Sequence, residues 1–151
     1  MVSINATYKN TSDDQFRKTG KRIRNKTDLF PKGTNVNFAY ATEQNRLQLV
    51  TYERGVEDLT LACGTGAIAT ALAWDYCKRT DHRACEGKQT DHFEPLPHLE
   101  ETLSNHVQLD CPGGLLEVSF NVTLKKGGER YDNIVLHGPA VEVFDGRVTL
   151  P

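Results

Sequence analysis

Two short stretches in the first third of the chain alternate apolar and polar residues, as a strand with one buried face does. Residues 34–40 place Val36 and Phe38 on one side, and residues 46–52 repeat the alternation. A polar Glu-Gln-Asn segment at 43–45 separates them. The pattern predicts two half-buried strands that pair as a hairpin.

Two other stretches have a helical pattern. Residues 67–74 are rich in alanine and nearly apolar all round, which predicts a central, buried helix that ends near residues 78–79. Nearer the N-terminus, Ser12 is followed three residues later by Gln15, which is the arrangement of a capping box. We therefore expect a first helix over residues 13–23.

The second half of the chain begins with a polar stretch, residues 79–106, which predicts a loop unusually long for a compact domain, with room for a short helix at 98–103. Apolar stretches bounded by turns predict further strands at 2–8, 107–109, 115–124, 131–137, 141–144 and 147–150. This order of elements predicts an α+β fold. Residues 1–151 would form a single domain, with a curved, mostly antiparallel sheet wrapped around one central helix.

The bulk composition narrows the classes of partner. A chain of 151 residues can bury a core as one domain, and a formal net charge of -2 argues against nucleic acid or an acidic membrane as its partner. The sequence has neither a membrane-spanning apolar run nor the apolar block of a signal peptide, so we expect a cytoplasmic protein. The four cysteines are irregularly spaced, so we expect no disulfide framework and interpret Cys77 as a core residue.

One cysteine stands out by its position. Cys63 follows an apolar segment and precedes Gly64, Thr65 and Gly66, at the predicted start of the central helix. Unpaired N–H groups and the positive end of the helix dipole favour a thiolate there, and the same groups can hold a carboxylate. Such a pair suits proton abstraction at the carbon that bears the carboxylate, or attack on an adjacent electrophile. The alternative is that Cys63 is a small buried hydrophobic residue and the glycines only form a turn.

Several polar residues are candidate ligands, each with a structural alternative. Arg54 could clamp a carboxylate and Glu53 could receive an ammonium group, or the two could form an exposed ion pair. Asn35 and Asn37 could bind a polar ligand, or they could be solvated near a turn. The histidines and Cys85 of the polar stretch match no tight spacing of zinc ligands, so we expect a solvated loop and no metal.

Five segments occur in the order seen in diaminopimelate epimerase, and the chain resembles that family over about residues 13–150, apart from the polar stretch. The segments are Phe-Pro-Lys-Gly-Thr-Asn-Val-Asn-Phe at 30–38, Tyr-Glu-Arg-Gly-Val at 52–56, Thr-Leu-Ala-Cys-Gly-Thr-Gly-Ala at 60–67, Gly-Gly-Leu-Leu-Glu-Val at 113–118 and Gly-Pro-Ala-Val-Glu-Val-Phe at 138–144. One departure is the segment at 57–60, which is one residue longer than the common Gly-Glu-Thr and has Leu59 where many members have Glu.

The resemblance implies a cofactor-independent amino-acid epimerase that interconverts L,L- and meso-diaminopimelate, in the synthesis of lysine and cell-wall precursors. In that family two similar domains each supply one cysteine; one thiolate removes the α-proton and the other thiol returns a proton on the opposite face. By this resemblance Cys63 is the cysteine of the C-terminal domain, and Gly64 and Thr65 bind the α-carboxylate through their backbone. Three more residues resemble the family's substrate contacts: Asn35, Glu53 and Arg54.

The resemblance covers only the C-terminal half of the family, and the first cysteine motif has no counterpart in this sequence. It therefore implies that turnover requires an N-terminal half in trans or, as a second option, a homodimer that brings two Cys63 thiols face to face. We expect little activity from the chain alone. The alternative function is a non-catalytic module that binds a carboxylate at residues 64–66, and related amino acids such as proline stay open as substrates.

Overall fold

The structure is a computed structural model and describes residues 1–80, 101–125, 128–143 and 145–147. Within these residues, the strands are β1 (Val2–Ile4), β2 (Val36–Glu43), β3 (Arg46–Glu53), β4 (Asp58–Thr60), β5 (Glu101–Cys111), β6 (Gly114–Lys125) and β7 (Gly128–His137). The helices are α1 (Asp13–Arg24) and α2 (Gly64–Arg79), and a short 3₁₀ helix covers Ala6–Asn10. Both predicted helices and the predicted hairpin are confirmed, within a few residues at their ends.

The strands form one sheet in the order β1-β2-β3-β5-β6-β7, and β4 pairs with β3 on the edge that β5 also uses. Two pairings are parallel, β1 with β2 and β3 with β5. The pairings of β2 with β3, β3 with β4, β5 with β6 and β6 with β7 are antiparallel. The prediction of a mostly antiparallel sheet is therefore confirmed.

The sheet curls around α2. The helix contacts strands from both ends of the sheet order, β1 and β2 at one end and β6 and β7 at the other. At its first turn, a Cβ added to Gly64 would lie 3.0 Å from Leu136 of β7, and one added to Gly66 would overlap Asn37 of β2. Strands that are distant in the sheet thus meet at one end of one helix, which confirms the predicted α+β fold with a central helix.

Helix α2 is buried mainly on one side. Its buried residues are Gly66, Ala67, Thr70, Ala71 and Asp75. The two alanines among them join the main apolar cluster, which is formed with β2, β3, β5 and β6. The prediction of a central, buried helix is confirmed, although Ala69 and Tyr76 on its outer side are exposed. Among the residues that the structure describes, no helix is long and apolar enough to cross a membrane.

The opposite face of β2 and β3 is covered by α1. Phe16 of α1 packs with Val36, Phe38 and Tyr52 in a second buried cluster. On the other face of β2, Ala39 belongs to the main cluster beneath α2. The prediction of a half-buried strand is therefore wrong for the first part of β2, because helices cover both faces of the sheet there.

The start of α1 carries the predicted capping box. Gln15 N–H donates to the Ser12 hydroxyl at 3.4 Å, and Ser12 N–H donates to Gln15 Oε1 at 3.0 Å. One turn further on, Arg17 Nε donates to Asp58 at 2.7 Å. Helix α1 is thereby tied to β4, the strand that leads towards Cys63.

The predicted polar loop at 79–106 is wrong at both of its ends. Helix α2 continues to Arg79, and β5 begins at Glu101 rather than at residue 107, so no helix at 98–103 continues past residue 100. Strand β5 is longer than expected because it pairs with β6 along its whole length, with Leu103, Val107 and Leu109 on its inner face. Residues 81–100, which hold three of the histidines and Cys85, lie outside the described residues.

The predictions for the two chain ends are partly wrong. Residues 141–143 and 145–147 form no strand, while residues 144 and 148–151 lie outside the described part. Val141 and Val143 are 80% and 84% exposed, and no described strand pairs with them, so alternating valines alone did not make a strand. At the other end, β1 stops at Ile4 because Asn5 caps the 3₁₀ helix.

The C-terminal end of α2 is fixed to β7 by a charged network. Arg79 donates to both carboxylate oxygens of Glu129 and to Asp75, and Tyr131 donates to Asp75 at 3.1 Å. The Arg79, Glu129 and Asp75 side chains are all largely buried. Cys77, in the same part of the helix, is disulfide-bonded, which corrects its interpretation as an ordinary core cysteine.

Candidate active site

Cys63 occupies the N-cap position of α2. Its backbone is extended (φ -136°, ψ 107°), and its carbonyl accepts the first helical hydrogen bond from Ala67 N–H at 2.8 Å. The N–H groups of Gly64, Thr65 and Gly66 precede that bond, in the turn where a helix has no internal acceptors. Cys63 is 7% exposed and Thr65 is exposed, so the helix start reaches the surface beside the thiol. The predicted position of Cys63 at a helix start is confirmed.

Two polar side chains approach the sulfur. Asn35 Nδ2 donates to Cys63 Sγ at 3.5 Å, and the Thr65 hydroxyl lies 3.5 Å from the same atom. The orientation of the Asn35 amide follows from its other partner, since its Oδ1 accepts from Arg54 N–H at 2.9 Å. A backbone N–H can only donate, so the oxygen must face Arg54 and the NH₂ group must face the sulfur. The arrangement can stabilise a thiolate.

Glu53 and Arg54 lie at the end of β3. Arg54 is exposed, and its Nη1 donates to the Lys32 carbonyl at 2.9 Å. Glu53 is half-buried, and its carboxylate has no hydrogen bond or ion pair with the residues that the structure describes. The alternative of an exposed Glu53–Arg54 ion pair is therefore wrong. The structure brings Asn35, Cys63 and the backbone of Arg54 together, and it leaves the Glu53 carboxylate unpaired nearby in the chain.

The turn after Glu53 is held by a second carboxylate. Glu57 has a left-handed backbone (φ 61°), accepts from Gly55 N–H at 3.2 Å and pairs with Arg24 at 2.8 Å. The Gly55 N–H and the Arg24 guanidinium together hold the pKa of Glu57 below its ordinary value. Leu59, in the segment that departs from the family pattern, packs against the second apolar cluster.

The position of Asn37 in β2, buried beneath the first turn of α2, was not predicted from the sequence. Asn37 is 3% exposed, accepts from the Thr51 hydroxyl at 2.9 Å and donates to the Met1 carbonyl at 3.2 Å. The alternative of a solvated Asn37 is therefore wrong. A Cβ on Gly66 would overlap Asn37 Oδ1, so glycine lets the first turn of α2 lie directly on β2. One sequence signal for a buried Asn37 was available. Thr51 follows Leu47 and Leu49 at every second residue, which places its hydroxyl on the same strand face as these two leucines.

A second free thiol gives a contrast to Cys63. Cys111 ends β5 and packs against the main apolar cluster. Burial, with the negative charges of Asp110 and Cys63 adding to it, raises the pKa of Cys111 to about 11. Cys111 is therefore an unreactive thiol at neutral pH, and it serves as an internal reference for Cys63.

Comparison with curated proteins finds several diaminopimelate epimerases that are similar to this chain. The chain is 36% identical over 137 residues to the diaminopimelate epimerase of Flavobacterium psychrophilum, which covers 90% of this chain and 43% of that protein. It is 39% identical over 132 residues to the diaminopimelate epimerase of Chlorobaculum tepidum, which matches 87% of this chain and 40% of that protein. It is 51% identical over 132 residues to that of a Hydrogenobaculum species, a match that covers 87% of this chain and 37% of that protein. The chain is related to the diaminopimelate epimerases. No family model matches it.

This relation to the diaminopimelate epimerases confirms the resemblance drawn from the five sequence segments. The chain spans about two fifths of the length of these relatives, so it corresponds to only part of a diaminopimelate epimerase.

Proposed function

We propose that the chain acts as the C-terminal half of a cofactor-independent diaminopimelate epimerase, with Cys63 as one of two proton-transferring cysteines. The observation that carries the proposal is the position of Cys63 at the N-cap of α2, with Asn35 Nδ2 and the Thr65 hydroxyl each 3.5 Å from its sulfur. The order of the five sequence segments supports the assignment to the C-terminal half. The expected cytoplasmic location stays a prediction.

In the proposed reaction, the Cys63 thiolate takes the α-proton of the substrate, which leaves a carbanion at Cα and a neutral thiol. A second thiol on the opposite face then gives its proton to that carbon and becomes a thiolate, so the configuration inverts and the protons balance. The N–H groups of Gly64 and Thr65, at the positive end of α2, hold the α-carboxylate beside the sulfur. Because the α-proton is weakly acidic, alignment and exclusion of water contribute much of the rate.

Two residues at the end of β3 suit the polar groups of the substrate. The Glu53 carboxylate, half-buried and without a partner among the described residues, is available for an ammonium group. The Arg54 guanidinium uses one nitrogen on the Lys32 carbonyl and keeps others for a carboxylate. Asn35 is the third substrate contact that the resemblance implies, and its amide is already bonded to Arg54 and Cys63.

We propose that the second thiol comes from an N-terminal half in trans, with a homodimer as the second option. Exposed apolar residues near the site suit either partner. Leu61, two residues before Cys63, is 71% exposed, and Leu136, which packs against Gly64, is 38% exposed. Apolar groups clustered on a surface mark contact sites more often than single exposed residues do.

The test is the formation of meso-diaminopimelate from the L,L isomer by three samples. They are the chain alone, the chain mixed with the separately produced part of the F. psychrophilum epimerase that it does not match, and the same mixture with Cys63→Ser. We expect little turnover by the chain alone, turnover by the mixture, and none with the variant. Ordinary turnover by the monomeric chain, or undiminished turnover with Cys63→Ser, contradicts the proposal.

A second candidate function is a non-catalytic module that binds a carboxylate at the start of α2. The 7% exposure of Cys63 favours it, because the backbone N–H groups beside the sulfur reach the surface more readily than the sulfur itself. Such a module would bind diaminopimelate equally well with Cys63→Ser in calorimetry. It would also never exchange the α-proton of the ligand in deuterated water, with or without the second half.

A further inference from the structure

We infer that Asn35 is a positioning residue for the Cys63 thiolate, with its amide NH₂ held against the sulfur by the Arg54 backbone. The inference deepens the proposed function and rests on it, since a proton-transferring cysteine must carry a thiolate. It assigns to Asn35 a role that acts through Cys63, in addition to the substrate contact that the resemblance implies.

The geometry leaves the amide one orientation. Asn35 lies just before β2, and its Oδ1 accepts from Arg54 N–H at 2.9 Å while its Nδ2 lies 3.5 Å from Cys63 Sγ. Rotating the amide by half a turn would place an NH₂ group against the Arg54 N–H and an oxygen against the sulfur. The first contact would join two donors and the second would repel a thiolate, so the observed orientation is the stable one.

Other groups around the sulfur do not supply the same interaction. Among the described residues, the hydrogen-bonding side chains at Sγ are Asn35 and Thr65, and a hydroxyl can turn to accept as easily as it donates. Cys111, at the end of β5, interacts electrostatically with Cys63, and the amino group of Met1 donates to the Asn35 carbonyl at 2.8 Å. Glu53 and Arg54, at the end of β3, are the other charged residues described at the site. The amide of Asn35 is the group fixed as a donor, and a donor to the charged form favours that form.

The decisive variant is Asn35→Asp in the full chain. An aspartate keeps the oxygen that accepts from Arg54 N–H, but it replaces the NH₂ group with a carboxylate oxygen. If the only role of Asn35 is to accept the hydrogen bond from Arg54 N–H after β3, Asn35→Asp preserves that role. If it supports the thiolate, the substitution removes a donor and adds a like charge beside the sulfur.

The measurement is the rate of alkylation by iodoacetamide as a function of pH, resolved for Cys63 and Cys111 by mass spectrometry of peptides. We expect Asn35→Asp to slow the labelling of Cys63 about tenfold at neutral pH and to move the midpoint of its pH–rate profile upwards. Asn35→Ala, which removes the donor without adding charge, should slow it less, in the same direction. The labelling of Cys111 should change far less in either variant, because burial is the main cause of its raised pKa and the charge of Cys63 is a lesser one.

A Cys63 profile of Asn35→Asp that superimposes on that of the unsubstituted chain overturns the inference, and so does an equal change at Cys63 and Cys111. If circular dichroism shows that Asn35→Asp does not fold, Asn35→Ala decides in the same way. Alkylation of Cys63 does not require turnover, so the role of Asn35 and the proposed epimerase function are tested by independent measurements. Lack of turnover by the mixed halves counts against the proposed function, whereas superimposed profiles beside normal turnover count against the role of Asn35.

Discussion

Gly66 of α2 lies directly against the side chain of Asn37 in β2, with no room for a methyl group between them. Asn37 cannot easily move away, because it is buried and bonded to the Thr51 hydroxyl and the Met1 carbonyl. The contact sets how closely the first turn of α2 approaches the sheet, and so it positions Cys63, three residues earlier.

We therefore expect Gly66→Ala to destabilise the protein. Alanine gains about 1 kcal/mol over glycine in a helix, but overpacking against a buried side chain costs about 1–3 kcal/mol. The free energy of unfolding, measured by urea denaturation, should fall by up to about 2 kcal/mol. Gly146→Ala is the matched control, because a Cβ there meets nothing within 4 Å. Equal unfolding midpoints for the two variants would count against the close contact.

The network at the other end of α2 gives a second prediction. Glu129→Gln removes the charge that pairs with the largely buried Arg79, whose side chain is 18% exposed. We expect the free energy of unfolding to fall by about 2 kcal/mol, because breaking a buried ion pair strands its partner. Arg17→Ala breaks the ion pair between Arg17 and Asp58, in which the two side chains are 44% and 54% exposed. The free energy of unfolding should fall much less in this variant. Comparable losses in thermal unfolding would show that burial does not distinguish the two pairs.

A third prediction concerns acid stability. Arg46 donates to both carboxylate oxygens of Asp110, at 2.7 and 2.9 Å, and this holds the pKa of Asp110 below its ordinary value. The stabilisation is complete above the unfolded-state pKa of about 3.9 and is lost as the pH falls through the folded-state pKa. Asp110→Asn should therefore unfold more easily at neutral pH, and its stability should fall less steeply below about pH 4.

Urea denaturation across the acid range measures this slope. Some slope will persist, because the pKa values of Glu57, Asp58 and Glu117 are also lowered in the folded protein. Asp14→Asn, which removes a carboxylate that is 82% exposed, is the control of equal charge. An Asp110→Asn slope equal to that of the unsubstituted chain would contradict the role of the Arg46 pair.

Local signals in the sequence predicted the elements that depend on neighbouring residues. The Ser12–Gln15 capping box, the β2–β3 hairpin and the start of α2 after Cys63 were all foreseen, because each is set by residues a few positions apart. The parallel pairing of β3 with β5 joins segments about sixty residues apart and leaves no local pattern. The burial of both faces of β2 likewise depends on two helices packing from opposite sides.

The same limit applies to the candidate site. The sequence predicted Cys63 at a helix start from local signals, the small residues at 64–66 and the alanine-rich stretch that follows them. It did not reveal that the Asn35 amide would point at the sulfur, because that orientation depends on the N–H of Arg54, nineteen residues away. It also treated Asn37 as a free amide, although the absence of a side chain at Gly66 was the local sign of a close approach.

The proposed function depends on Cys63 being a reactive cysteine, at the start of α2 and with Asn35 and Thr65 beside its sulfur. The most direct test is site-resolved alkylation of the unsubstituted chain with iodoacetamide at neutral pH, with Cys111 as the internal reference because burial raises its pKa to about 11. The account predicts that Cys63 is labelled much faster than Cys111, and that its rate levels off at a lower pH. Slow labelling of both cysteines at equal rates would contradict it.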